Sequence, residues 1–133
     1  MAYIKYKELT RRFYFHKVLN VDNLDKYVTD YVEPGEKILR AYATRRDKGI
    51  FTTKKIVLFD KRGFGTKKCI NIIPLLSVSM ISSTYDGSKA ELIIYLDCGY
   101  PIRLCFNNQK DKDKTELRKI HSYISDYIIR NSK

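Results

Sequence analysis

The sequence is poor in several residue types that specialised folds require. It has no tryptophan, three prolines and three cysteines, Cys69, Cys98 and Cys105, which never fall in a Cys-x-x-Cys spacing. An odd number of widely spaced cysteines predicts neither a disulfide framework nor a zinc knuckle, so we expect reduced thiols, no metal and no cofactor. The longest apolar run, at residues 92–96, falls far short of the roughly 20 residues of a membrane-spanning helix.

The sequence also lacks an export signal and is short of acidic residues. The first residues, MAYIKYKELTRR, alternate charged with apolar side chains and contain no apolar core of a secretory signal, so a cytoplasmic protein is expected. Fifteen Asp and Glu oppose 26 Lys and Arg, giving a formal net charge of +11. This excess favours solubility and attraction to polyanions but does not specify a fold.

Residues 1–33 are predicted to form an amino-terminal helical appendage. Apolar and aromatic residues recur at helical spacing over about residues 6–17 and again in DNLDKYVTDYV, where Asp22 can cap the helix and Pro34 with Gly35 ends it. One small domain would not fully cover two such aromatic faces, so they are candidates for self-association. The candidate residues are Tyr6, Phe13, Leu24, Tyr27 and Tyr31.

From residue 36 the hydrophobic period changes to that of β-strands separated by turn residues. Seven strands are predicted, in KILRAYATR, GIFT, KKIVLFD, KKCINI, LLSVSMISS, AELIIYLD and YPIRLCF. In the last strand, Ile102, Leu104 and Phe106 alternate with Arg103 and Cys105, which is typical of a sheet with one buried face.

The chain closes with an amphipathic helix, for which Thr115 is the predicted cap. Its apolar stripe comprises Leu117, Ile120, Ile124, Tyr127 and Ile128. A single such helix after an antiparallel meander needs an apolar sheet surface to cover, and the open end of a strongly bent sheet or barrel would supply one.

Short motifs occur in a fixed order along this part of the chain. They are Gly35 and Glu36, Arg46 and Asp47, Phe51 and Thr52, Lys54 and Lys55, Asp60 and Gly63, Ile73 and Pro74, and then Asp86, Ala90, Glu91 and Leu92. Over about residues 33–129 the sequence therefore resembles the small bacterial pleckstrin-homology (PH) family. Two positions depart from the family's pattern, because Lys55 stands where Arg is common and Leu75 where Tyr is common.

The resemblance implies a mainly β, PH-like domain over residues 34–133, with a seven-stranded antiparallel barrel or sandwich capped by the carboxyl-terminal helix. It also implies a binding module rather than an enzyme. Several members of the family form ring-like homo-oligomers, and eukaryotic PH domains bind phosphoinositides or proteins. Because a fold does not specify a function, the site has to be argued from its own residues.

Signs of enzymatic chemistry are few. The segment GFGTKK at residues 63–68 lacks the spacing of a phosphate-binding loop and reads as a turn. His16 and His121 have no recognisable nucleophile context, and Glu91 and Asp97 read as outward residues or turn caps. No catalytic residue and no small-molecule substrate are predicted.

Residues 45–68 carry nine Lys and Arg against two Asp. In a meander, the turns near residues 45–48 and 61–62 share one end of the sheet, while Lys54 and Lys55 lie at the other. We call the resulting candidate anion- or partner-binding surface the basic rim: Arg45, Arg46, Lys48, Lys61, Arg62 and Lys67. Against the five cations of these two turns, Asp47 and Asp60, with or without Asp86, leave a surplus of only two or three charges, about 1 kcal/mol each near an anionic surface.

Two functions follow from these observations. The leading hypothesis is a non-enzymatic PH-like module that self-associates and binds a protein partner whose identity the sequence leaves open. The alternative is electrostatic binding of anionic phospholipid or nucleic acid through the basic rim, which would weaken steeply as salt rises.

Overall fold

A computed structural model describes residues 12–44, 47–62 and 67–131. The described strands are β1 (Arg12–Phe15), β2 (Lys17–Leu19), β3 (Ile38–Ala43), β4 (Asp47–Thr52), β5 (Lys55–Arg62), β6 (Lys67–Pro74), β7 (Val78–Asp86), β8 (Lys89–Leu96) and β9 (Pro101–Phe106). The α-helices are α1 (Lys26–Thr29) and α2 (Asp111–Asn131), and single 3₁₀ turns span Val21–Asn23 and Leu75–Ser77.

The described strands hydrogen-bond in two separate sheets rather than in one closed ring. One sheet has the order β2-β3-β4-β5-β6 and the other the order β1-β9-β8-β7. Close contacts divide the described chain into two corresponding units, Phe15–Pro74 and the remainder. The prediction of a mainly β chain with a carboxyl-terminal helix is confirmed, and the seven predicted strands correspond to β3 through β9.

In the Phe15–Pro74 unit, apolar side chains occupy both faces of the five-stranded sheet. On one face the register aligns Ala41 with Ile50 and Ile50 with Val57, and Val28 of α1 packs on this row. The opposite face carries buried Tyr42, Phe51, Ile56 and Leu58. A sheet buried on both faces explains why β4 and β5 read as continuous apolar runs rather than as strict alternation.

In the other unit, α2 covers one face of the four-stranded sheet. Register pairing places Leu92, Ile94, Leu104 and their neighbours on this face, where they are fully buried. The helix contributes a matching stripe of buried residues, Leu117, Ile120 and Ile124. None of the described helices is both long enough and apolar enough to cross a lipid bilayer.

The predicted first helix, over about residues 6–17, is wrong for its described part. Phe13 and Phe15 are buried while Tyr14 between them is exposed, so this segment follows the two-residue period of strand β1. Residues 17–19 form a second strand, β2. The rest of the prediction lies outside the described residues.

Two predicted helix caps also need correction. Asn20, not Asp22, caps the 3₁₀ turn, because its side-chain oxygen accepts a hydrogen bond from the backbone N–H of Asp22 at 2.9 Å. The predicted helix over residues 22–31 shrinks to this turn and the four-residue α1. Thr115 lies inside α2, where its hydroxyl donates to the carbonyl of Asp111, and the helix begins four residues earlier than predicted.

Candidate functional site

Three of the motif residues form a buried polar network at the β4–β5 turn. The Glu36 carboxylate accepts hydrogen bonds from the Thr52 hydroxyl and from the backbone N–H of Glu33, the latter at 3.0 Å. The Lys55 ammonium lies 3.1 Å from the same carboxylate, and the Glu36 side chain is fully buried. The backbone N–H groups of Lys54 and Lys55 donate to Thr52, so the network closes the turn.

The titration of Glu36 reflects this network. Burial alone would raise the pKa of Glu36, but the hydrogen bonds from Thr52, Glu33 and Lys55 outweigh it and hold the pKa below its usual value. The carboxylate is therefore charged and fully occupied within the chain. We interpret this group as a structural clamp, because it presents no free polar atom to a ligand.

At the opposite end of β4 and β5, two aspartates lie side by side on the neighbouring strands. Asp47 and Asp60 are register partners on neighbouring strands, and both are buried. The backbone of Asp47 is fixed by Thr44, whose hydroxyl accepts its N–H at 3.0 Å. Register partners project to the same side of a sheet, so two acidic side chains lie at the end of the sheet where the basic rim was predicted.

Lys48 is the member of the basic rim whose side chain the structure describes, and its charge is paired within the chain. Its ammonium lies 2.8 Å from the carboxylate of Asp25 and 4.7 Å from the centre of the Tyr27 ring. Burial alone would lower the pKa of Lys48, but the hydrogen bond to Asp25 and the contact with Tyr27 raise it above its usual value. The contact joins β4 to the segment that precedes α1.

The other residues of the basic rim are described in part or not at all. Arg62 and Lys67 are register partners at the ends of β5 and β6, and Lys61 precedes Arg62 on β5. The side chains of these three lie outside the described part, as do Arg45 and Arg46 entirely. The register does bring the strand ends at Asp47 and Arg62 to one end of the sheet, with Lys55 at the other.

The residues predicted for self-association pack within their own chain where they are described. Tyr27 and Tyr31 both contact the Phe59 ring edge-on, with ring centres 5.6 and 5.7 Å apart, and Leu24 joins the same cluster. Phe13 is buried, and Tyr6 lies outside the described residues. Much of the predicted aromatic surface is thus covered intramolecularly.

A surface that the sequence analysis missed lies between β7 and α2. β7 is the last strand of its sheet, and within the described part of the chain it pairs with β8 alone. The Ser83 hydroxyl lies 2.8 Å from Nδ1 of His121, and the Arg118 guanidinium lies 5.3 Å from the centre of the Tyr85 ring. These two contacts place α2 against the face of β7 that carries Ser83 and Tyr85.

At the carboxyl-terminal end of α2 this surface opens into a cavity of about 490 Å³, which we call the α2 hollow. Its lining includes Leu75, Leu76, Val78, Asp97, Tyr127 and Ile128. Leu76 exposes 65% of its surface, and Ile129, which follows Ile128 on α2, exposes 69%. The available sequence signal was the uncharged run at residues 74–85 in a chain with 31% charged residues.

The described residues offer little for catalysis or metal binding. None of their His, Cys, Asp and Glu side chains are grouped so as to hold a metal ion. Ser83 and His121 form a hydrogen-bonded pair, but among the described residues His121 has no carboxylate partner that would orient it as a base. Glu91 pairs with Arg103 at 3.4 Å, as expected for an outward-facing cross-strand pair.

Comparison with known proteins identifies relatives of this architecture. A family model described as the bacterial PH domain matches residues 12–128. A crystal structure of a DUF1696 family protein with a pleckstrin-homology domain from Shewanella loihica PV-4 is 23% identical, with a TM-score of 0.66 over 84% of this chain and 95% of that one. A search of curated proteins found no match.

Two further crystal structures show the same fold. The pleckstrin-homology domain from Shewanella amazonensis SB2B is 23% identical, with a TM-score of 0.58 over 80% of this chain and 89% of that one. A PH-domain-containing protein from Exiguobacterium sibiricum 255-15 is 19% identical, with a TM-score of 0.68 over 86% of this chain and 62% of that one. At these identities the similarity establishes the fold and leaves the ligand open.

Proposed function

The chain belongs to the bacterial PH domain family, and on that premise we propose that it is a non-enzymatic binding module that acts through protein–protein contacts. Its place of action in this proposal is the cytoplasm. The odd number and wide spacing of Cys69, Cys98 and Cys105 support that location, because this pattern is typical of proteins in reducing compartments rather than of disulfide frameworks.

The observation that carries the proposal is the α2 hollow, whose lining includes exposed Leu76. Leu76 and Ile129 of α2 are among the most exposed large apolar side chains of the described chain. Such side chains gain free energy when a partner removes them from water, by about 25 cal/mol for each Å² buried. The lining also includes Ser79, Asp97 and Asn131, and its charged member is acidic, which favours a partner's side chain over an anionic headgroup.

The experiment compares the sets of host proteins that cross-link in the cell to three forms of the chain: wild type, a groove variant and a control variant. The groove variant carries Leu76→Lys and Ile129→Lys, and the control variant carries Ile72→Lys, an equally apolar-to-charged change at an exposed position of β6. We expect a set of partners that wild type and control recover and that the groove variant loses. Identical sets from all three forms would contradict the proposal.

Self-association is the second part of the proposal and is supported by the resemblance to ring-forming members of the family. Deleting residues 1–32 is a poor test, because that deletion would remove β1, β2 and the α1 contacts with the core. Light scattering of the intact chain after gel filtration is the better measurement. A discrete multiple of the monomer mass at low and high salt is expected, and a monomer at all concentrations would contradict it.

The alternative, electrostatic binding to anionic lipid or nucleic acid, gains less support. Lys48 is neutralised by Asp25, and the buried carboxylates of Asp47 and Asp60 oppose the remaining cations. A small surplus of charge supports weak, salt-sensitive adsorption rather than stable docking.

A further inference from the structure

We propose that the partner is an extended peptide segment that pairs with the free edge of β7 and places an apolar side chain, next to a lysine or arginine, in the α2 hollow. This inference rests on the proposed function, because it specifies the chemistry of the protein partner at the same site. The proposed site consists of the free edge of β7, the α2 hollow and the exposed carboxylate of Asp97.

The edge of β7 lacks the sequence features that protect the other sheet edges. Among the described strands, β1 and β2 are edges of only four and three residues, and β6 carries Lys67, Lys68 and Pro74. Short length, lysine and proline are the features that keep strand edges from pairing with other chains. β7 has nine residues, and its sole charged residue is Asp86 at the end.

This edge offers backbone groups at regular spacing. In an antiparallel pair, alternate residues direct their N–H and C=O groups away from the neighbouring strand. β8 takes up one side of β7 through a register that runs from Val78↔Leu96 to Asp86↔Lys89. The outward groups on the other side are suited to an added strand, which obtains affinity from main-chain hydrogen bonds and specificity from side-chain pockets.

The α2 hollow supplies the pocket for one apolar side chain. It lies at the start of β7, where Val78 is buried, and Leu75 and Ile128 form apolar walls. A cavity of about 490 Å³ exceeds the size of one leucine or phenylalanine side chain and leaves room for the peptide backbone. A strand paired with β7 would pass directly over it.

Asp97 indicates the charge of the adjoining residue. It lines the hollow, is exposed, and its backbone N–H donates to the carbonyl of Ser77 at 2.9 Å. Its carboxylate makes no ion pair or hydrogen bond among the described residues. In a chain of net charge +11, an acidic group at the border of an apolar hollow favours a basic residue on the partner.

The test uses intact protein and a synthetic peptide of sequence TVTVTVLKT, which carries fluorescein on its amino terminus and an amide at its carboxyl terminus. Binding is measured by fluorescence anisotropy, and its location by the amide resonances of ¹⁵N-labelled protein. In one control peptide glutamate replaces the lysine. In the other, proline replaces the second of the three valines, because proline cannot donate to a strand ladder. The protein variants are Asp97→Lys, the Leu76→Lys and Ile129→Lys double variant, and Ile72→Lys.

We expect the lysine peptide to bind wild type and Ile72→Lys equally, and to shift the amides of β7 but not those of β6. The glutamate peptide should bind wild type about tenfold more weakly, and Asp97→Lys should reverse this preference. The proline peptide and the double variant should show no binding. Reversal of charge preference tests a direct contact, since a merely structural effect of Asp97→Lys would weaken both peptides alike.

Four results would overturn the inference. Equal binding of the lysine and proline peptides would exclude strand addition, and resonance shifts outside β7 and α2 would exclude this site. Absence of peptide binding, together with β7 amides protected from exchange in an oligomer, would assign the edge to a second copy. If the groove variant still loses its cross-linked partners while no peptide binds, the proposed function stands and the extended-peptide inference fails.

Discussion

Glu36 and Lys55 form an ion pair at 3.1 Å that fixes the chain two residues before β3 to the first residue of β5. Their side chains are almost completely removed from water, and Thr52 completes the contact with the carboxylate. Breaking one partner of a buried pair leaves the other charge uncompensated, which costs more than the pair itself contributes. The family motif at these positions thus has a structural explanation.

Glu36→Gln should destabilise the protein by about 3 kcal/mol at neutral pH, because the Lys55 ammonium loses its countercharge. The measurement is urea-induced unfolding. Glu116→Gln is the matched control: its exposed partner Lys119 lies 3.2 Å away, and the loss should stay below about 0.5 kcal/mol. Equal losses in the two variants would contradict a buried pair.

The same variant gives a pH dependence with a defined sign. The pKa of Glu36 is lowered in the folded chain, so its stabilising effect is complete above the usual value of 4.5 and declines as the pH falls through the folded pKa. The difference in unfolding free energy between wild type and Glu36→Gln should therefore be constant near neutrality and shrink in acid. A difference that stays constant throughout acid titration would contradict this assignment.

Gly49→Ala should destabilise the five-stranded sheet by about 1–3 kcal/mol. A Cβ atom at this position would lie 2.8 Å from Cζ of Phe15 and 3.3 Å from Cδ2 of Leu58, and both side chains are buried. Thermal unfolding of the double variant Gly49→Ala, Phe15→Leu is the control. If the clash is with the Phe15 ring, the stability loss of the double variant should be smaller than the sum of the losses of the two single variants.

Two hydroxyl groups on β7 provide a matched pair of predictions. Ser83→Ala should cost about 1 kcal/mol, because His121 loses its hydrogen bond, whereas Tyr85→Phe should be neutral or slightly stabilising. The Tyr85 hydroxyl is buried without a hydrogen-bond partner in the described chain, so its removal relieves an unmet polar group. Chemical unfolding of both variants checks this, and a larger loss for Tyr85→Phe would be contrary to the described geometry.

The double variant Asp25→Asn, Lys48→Gln should leave adsorption to phosphatidylserine vesicles unchanged, because it removes an ion pair of 2.8 Å and keeps the net charge the same. Vesicle co-sedimentation at low and high salt measures this. The double variant Arg46→Glu, Lys61→Glu reverses two other cations of the basic rim and serves as the comparison. If Asp25→Asn, Lys48→Gln weakens adsorption as Arg46→Glu, Lys61→Glu does, Lys48 is available to anions and the interpretation given above is wrong.

The parts of the fold with a strong local period were predictable from the sequence. Strands β3 to β9 follow alternation or apolar runs bounded by turns, and α2 follows a helical stripe. β1 and β2 were missed because they are short and because the aromatic residues at positions 13–15 fit both the strand period and the helical period. Their pairing partners, β9 and β3, lie elsewhere in the sequence, so local pattern could not identify them.

The candidate site depended on information that spacing does not contain. The basic residues of the rim could be identified from the sequence. The contact of Lys48 with Asp25, 23 residues away, could not, so Lys48 was counted as an available cation of the rim. The importance of β7 arises from its position at the end of a sheet, which only the strand order reveals. The α2 hollow likewise could not be predicted, because it forms where the end of α2, the 3₁₀ turn Leu75–Ser77 and the start of β7 meet.

The passage of the chain from β1 into β2 has a consequence for folding order. His16 alone separates the two strands, yet β1 pairs with β9 near the other end of the chain while β2 belongs to the sheet formed by residues 17–74. During synthesis, the five-stranded sheet can assemble from sequence neighbours, whereas β1 has to wait until β9 has left the ribosome. Closing that long loop is entropically slow, so docking of β1 should be a late step that completes the four-stranded sheet.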